Sequence, residues 1–329
     1  MEEGPRFTEV AAKAGHYESF YLKACEPTGG RGIWIRHTVH KRPGAEPTGS
    51  VWFVFFDRAA PAPGAGKVTV DTARLAAPAG SWIRVADAEI GPGRAEGSID
   101  VGGLAATWSL TFAGEAAPCR YLPADWLYRS PLPRTKFVAP YPEARFEGRL
   151  EVGGESLELS GWPGMIGHNW GSEHAERWVW IEGTGFPDSP STYFDVGAAR
   201  VRLGSRVSPW IPSGTLLLDG VAHRLGGLGA IRSARIEERP TACSFLLPGR
   251  DVVVQGRVAA PEKDFVGWLY ADPKGPVHNT VNCSVADLEL TVERPGLPPR
   301  LLTLEAGGAY ELGMRETDHG IPIQPFPDG

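Results

Sequence analysis

Residues 161–182 read GWPGMIGHNWGSEHAERWVWIE, and the rest of the chain is organised about them. The stretch holds four of the eleven tryptophans (Trp162, Trp170, Trp178, Trp180) and two of the eight histidines (His168, His174). Gly164, Gly167 and Gly171 punctuate it. Glycine among bulky aromatics lets the backbone bend or approach a neighbour closely. In an extended chain residues two apart share a face, so His168 aligns with Trp170, and Trp178 aligns with Trp180 and Glu182. Titratable groups beside indoles on one concave surface suit an apolar pocket with a few polar anchors. Ordinary core, with a satisfied buried histidine, is the competing reading.

Outward from this centre the chain is a succession of short strands. Residues 33–40 (IWIRHTVH) alternate, and 51–57 (VWFVFFD) are apolar on both faces, as in a strand covered on both sides. Leu104, Ala106, Trp108, Leu110 and Phe112 make one apolar face, and Gly153-Gly154 suits a two-residue hairpin. Prolines at 118, 123, 131, 133, 140 and 142 make 117–144 a long connection. Beyond the centre, strands are predicted near 177–184, 192–203, 214–219, 250–258, 265–271 and 279–293, with turn chemistry at Asp272-Pro273-Lys274-Gly275. The one helix candidate is the first twenty residues. The 42 glycines and 30 prolines are spread as punctuation, which argues against a helical bundle or a disordered chain. About eight strands fall on each side of Trp162, the number at which a barrel can enclose a small ligand. The predicted fold is all-β: two tandem lipocalin-like antiparallel β-barrels, residues 1–162 and 163–329. A single jelly-roll sandwich is the second choice.

Composition narrows the function. With 33 basic against 39 acidic residues and no basic runs, nucleic acid is not an expected partner. Cys25, Cys119, Cys243 and Cys283 stand far apart, without a C-x-x-C pair, and read as free thiols in a reducing compartment. The acidic start shows no signal peptide, and no apolar run approaches the roughly 20 residues that span a bilayer. A soluble, cytoplasmic protein is expected. The segment SEHAE (Glu173, His174, Glu176) does not place two histidines at metal-ligand spacing, so no metal is expected. LGGLGA at 225–230 lacks the context of a phosphate loop, and no cofactor is expected. Glu173 and Glu182 are a conceivable glycosidase pair if they face one groove.

The run G-W-P-G-M-I-G-H-N-W-G, then W-V-W-I and Tyr193-Phe194-Asp195, resembles the motif block of tandem-lipocalin proteins. These are the AttH-like proteins and carotenoid 1,2-hydratase (hydroxyneurosporene synthase), with tocopherol cyclase and lipocalin-fold Diels–Alderases as looser relatives. His168, Trp170 and Gly171 match an H-x-W-G element, and Tyr193 and Asp195 match a Tyr-x-Asp. Residues 270–290 also resemble a strand–turn–strand of the group's second barrel. The resemblance covers about half the chain. Hydratases read H-D-H-N-W-G, whereas Met165-Ile166-Gly167 precede His168 here.

The resemblance implies a cofactor-independent lyase or isomerase acting on an apolar, terpenoid-like alkene by hydration, dehydration or cyclisation. Protonating an unactivated alkene needs a strong acid in a water-poor pocket, where burial keeps a carboxyl protonated. Asp195 is the candidate acid, oriented by Tyr193. Trp170, Trp178 and Trp180 would stabilise a carbocation, Glu182 would help bind the substrate, and His168 would handle the second proton transfer. His16, Glu18, Arg36 and His37 of the first barrel could face the same pocket. The alternatives are a non-catalytic carrier of a hydrophobic molecule and a carbohydrate-active β-sandwich enzyme.

Overall fold

The computed structural model describes residues 4–28 and 30–327. The described chain is 63% strand, paired antiparallel in two large sheets and a small ribbon, Arg202–Leu203 with Arg206–Val207. One sheet closes nearly into a barrel and the other forms a half-barrel, so the two tandem lipocalin-like barrels are observed. Helix is confined to 3-10 turns of three or four residues. The start of the chain accordingly departs from the helical expectation: after the turn Ala12–Ala14 it enters the strand His16–Cys25. Tyr17, Tyr21 and the residues between them are buried on both faces there, which a strand between two layers accommodates.

Both sheets share one topology. In the first, His16–Cys25, Arg31–Lys41, Thr48–Asp57 and Gly64–Asp71 meander outward. The long hairpin Thr135–Val152 and Glu155–Gly171 then returns to pair with His16–Cys25. In the second, Arg177–Phe186, Ser189–Arg200, Ile211–Leu218 and Val221–Gly226 do the same, and the returning hairpin is Val277–Glu293 with Arg300–Met314. Both hairpins carry register shifts, the bulges that let a long strand curve around a barrel. Pro140 and Pro142 fall at two such shifts, where the ladder is interrupted. The predicted long connection therefore ends earlier than the prolines suggested, and the strand runs from Thr135.

The expected division at 162/163 falls within one strand. Trp162-Pro163 lies inside the continuous strand Glu155–Gly171, which carries the whole H-x-W-G element into the first sheet. The chain crosses between sheets at residues 172–176. One core fills the first barrel, with Phe20, Leu22, Ile33, Ile35, Phe53 and Trp108. The other core is built by the concave face of the second sheet against Tyr21, Trp34, Trp52, Val54 and Phe56. The strands at 16–25, 31–41 and 48–57 thus form a common wall, alternate residues facing each core.

Candidate active site

Between that wall and the second sheet lies a cavity of about 380 Å³, within the range typical of small-molecule sites. Tyr21, Trp34, Tyr121, Phe137, Trp178 and Trp180 supply its aromatic lining. Its polar lining includes Arg36, Asn169, His174 and Glu311. Three glycines make room for these rings. A Cβ on Gly167 would stand 2.1 Å from the Tyr21 ring, one on Gly313 2.2 Å from Trp178, and one on Gly197 3.2 Å from Tyr121. Gly167, just ahead of the H-N-W-G run, therefore serves a wall residue on the neighbouring strand.

Asp195 is completely buried behind this lining. Trp180 Nε1 donates to its Oδ1 at 2.9 Å, and the Tyr121 hydroxyl donates a short hydrogen bond to the same oxygen. Oδ2 has no hydrogen-bond partner among the described residues. Burial is the dominant influence and lifts the carboxyl from its ordinary range up to about 7, against the opposing pull of those two hydrogen bonds. The nearby charge of Glu182, its cross-strand neighbour, pushes the same way as burial. Tyr121 touches both Asp195 and the cavity. Burial and the Asp195 carboxylate hold its phenol well above the usual range, so it remains protonated.

The remaining expected residues divide between two places. Trp178 and Trp180 line the cavity. Tyr193 is buried on the same sheet face as Asp195, opposite Thr184, but neither lines the cavity nor bonds to the carboxylate. Glu182 is held in a buried ion pair with Lys23, Nζ to Oε2 at 2.7 Å, and accepts from Thr184 Oγ1 at 2.6 Å. It joins the two sheets instead of facing the cavity.

His168 and Trp170 point the other way, into the first barrel. His168 stacks on Phe20 at 4.0 Å, and its Nε2 lies 2.8 Å from Glu18 Oε1. His16 Nε2 approaches Glu18 Oε2 at 3.1 Å, and the backbone N–H groups of Arg6 and Phe7 also donate to that carboxylate. Burial would raise the Glu18 carboxyl, but the hydrogen bonds from His16 and His168 outweigh it and hold it at about 2. The intervening Asn169 faces the cavity. His168 and Trp170 thus share a face, as the two-residue spacing requires, but that face is turned away from Asp195 and they do not meet it. His37 is fully buried, and desolvation pulls its imidazole down to about 3. Of the four first-barrel candidates only Arg36 lines the cavity, its guanidinium 4.2 Å from the Tyr270 ring centre.

Tyr121 escaped the sequence reading, and His174 was weighed there only as a metal ligand and set aside. Tyr121 sits in the proline-rich segment, where no periodicity marks it. His174 stacks between Tyr17 (3.9 Å) and Trp178 (5.5 Å) at the cavity wall. Its Nδ1 and its backbone nitrogen both lie 2.7 Å from Asp272 Oδ1. Asp272 does start the expected turn, with Gly275 N bonded to its carbonyl, but its carboxylate turns inward. Glu173 pairs with Arg134 near the surface while Glu182 is sealed inside, so they form no glycosidase pair across a groove.

No family model matches the chain. It is 26% identical over 316 residues to uncharacterised proteins of two Mycobacterium tuberculosis strains, covering 92% of this chain and 88% of theirs. Among solved structures, it is similar to a protein of Nitrosomonas europaea described as an AttH, with a TM-score of 0.56, 14% identity and 95% and 96% of the two chains covered. Kievitone hydratase from Nectria haematococca gives 0.54 at 9% identity, covering 91% and 89%. CghA with Sch210972 gives 0.62 at 10% identity, covering 92% and 89%. Over nearly its whole length, then, the chain shares the fold of an AttH, a hydratase and CghA.

Proposed function

We propose that the protein is a lyase or isomerase that protonates an alkene of an apolar, terpenoid-like substrate in the cavity between its sheets. The observation carrying this reading is Asp195, a fully buried carboxyl poised at about 7 behind a cavity walled by aromatic rings. At neutral pH a substantial fraction is protonated, and the water-poor surroundings favour delivery of that proton to carbon. Tyr121 bridges carboxyl and cavity, so it takes the relay role expected of Tyr193. For the relay the phenol O–H turns from the carboxylate to the cavity, and its proton passes to the alkene as protonated Asp195 gives its own to the phenol oxygen. The rings of Trp178 and Trp180, with Trp34 opposite, would stabilise the cation by about 0.5–2 kcal/mol each. The fold shared with kievitone hydratase and CghA fits this chemistry but does not carry it.

Solvent deuterium gives the test. In D2O, a panel of isoprenoid alkenes incubated with the protein should acquire carbon-bound deuterium, read by mass spectrometry, in bound substrate or product. Asp195→Asn should lower uptake by roughly 10²–10⁴-fold, as for a lost general acid, with little change in binding. An alkene that binds in the cavity and acquires no deuterium would favour the second reading, a carrier. That reading has one observation on its side: Asp195 does not itself reach the cavity surface.

A further inference from the structure

We propose that His174, Asp272 and His278 bind one divalent transition cation of the zinc class at the wall of the cavity. Each residue offers one ligand atom, a ring nitrogen or a carboxylate oxygen, and the three atoms lie within 4.8 Å of one another. All three residues are buried. They come from separate parts of the fold: His174 from the crossing between sheets, Asp272 from the turn after Val266–Ala271, and His278 from the start of Val277–Glu293. The spacing in SEHAE could not show this, because the second histidine lies about a hundred residues further along.

A comparison within the molecule makes the case. His16, Glu18 and His168 are also a buried His–carboxylate–His group, and it is closed. Each Glu18 oxygen meets a histidine, and backbone N–H groups add to it. The second group is open. Among the described residues neither ring nitrogen of His278 has a hydrogen-bond partner, though the residue is 0% exposed. Asp272 Oδ2 and His174 Nε2 are likewise unpartnered. Four orphaned polar atoms in one buried cluster need a further partner, and two neutral imidazoles with a carboxylate are a donor set that zinc and its neighbours accept. His278 Nδ1 and Asp272 Oδ2 stand 3.9 Å apart. Zinc bonds of about 2.0–2.2 Å in tetrahedral array need roughly 3.3 Å, a closure that small side-chain rotations supply.

The arrangement has the supports that such sites use. Asp272 is held by the His174 backbone N–H, and His174 is clamped between Tyr17 and Trp178. With three protein ligands a fourth coordination position is left for an outside ligand, and of the three residues His174 lines the cavity. A ligand bringing a carbonyl or hydroxyl oxygen to that end would fill it.

The inference does not rest on the acid chemistry of Asp195, and its test needs no substrate. The purified full chain is stripped with a chelator and titrated with Zn2+ against a colorimetric competitor, with elemental analysis of the dialysed product. One zinc per chain is expected at micromolar free ion, with a rise in Tm. His278→Ala and Asp272→Asn should each weaken binding by roughly 10–100-fold or more and abolish the rise in Tm. His223→Ala, at the separate His223–Asp251 pair near the surface, should bind like the parent. Circular dichroism checks folding, and His278→Gln, which keeps volume and should lose affinity as well, replaces the alanine variant if that one is unfolded. A parent chain that takes up no stoichiometric Zn2+, Co2+ or Ni2+ overturns the proposal. So does undiminished affinity in the folded His278 and Asp272 variants, or loss of binding in His223→Ala.

Discussion

Replacing Asp195 with asparagine should change how stability depends on pH, by an amount the structure allows one to work out. The carboxyl ionises near 3.8 when solvated and at about 7 in the folded chain. At 1.36 kcal/mol per pH unit, that gap corresponds to about 4 kcal/mol. The sign follows from proton binding. The folded pKa is the higher, so between these values the native state holds more protons than the unfolded one, and stability falls as pH rises. The contribution is fully present below 3.8 and is lost as pH climbs through about 7. Asparagine is nearly isosteric and has no proton to lose. The unfolding free energy of Asp195→Asn minus that of the parent should therefore grow by about 4 kcal/mol between the two ends of the window. Urea titrations followed by tryptophan fluorescence, in half-unit pH steps, would trace the difference. Other titrating groups, Glu18 among them, are common to both proteins and cancel. A difference flat to within about 1 kcal/mol, the scale of extrapolation error, would refute a carboxyl poised near neutrality.

Two further perturbations address the frame of the site. Lys23→Met strands the Glu182 charge in the interior and should cost about 3–5 kcal/mol, whereas Lys23→Met with Glu182→Leu should recover most of the loss. Denaturation of the two variants is the measurement, and equal losses would show that the charges are not coupled. Gly167→Ala sets a methyl 2.1 Å from the Tyr21 ring, and the overpacking should cost about 1–3 kcal/mol and narrow the cavity. Weaker binding of a hydrophobic fluorescent dye would report the narrowing, and unchanged stability together with unchanged dye affinity would count against it.

How much of this was legible in the sequence depended on the range of the interaction. Alternation marked the strands at 31–41 and 104–113, and an apolar run on both faces marked 48–57, because each side chain answers to the layer directly above or below it. Trp178 and Trp180 could be placed on one face for the same reason. Which face of Glu155–Gly171 meets the cavity could not be read, since from Trp162 onward both faces are buried. The alignment of His168 with Trp170 is legible in the sequence, whereas the side of the sheet they take is not. Tyr121, Asp272 and His278 act through partners 74 to 98 positions away or through unlike elements, and no local pattern encodes such meetings. Pro140 and Pro142 misled for the converse reason, because bulges tolerate what a regular ladder rejects.

The common wall of strands has a consequence for modularity. Although the two sheets repeat one topology, they are not separable pieces. A fragment ending at residue 171 would keep every strand of the first sheet, yet it would offer Tyr21, Trp34, Trp52 and Phe56 to water. That broad aromatic face invites self-association. The second half, cut loose, would lose the floor of its own interior. A substitution in the wall is felt on two sides at once, so the halves are bound to melt as one cooperative unit and to accept change together. Duplication could create such a pair of units, but the packing now leaves no seam along which they could part.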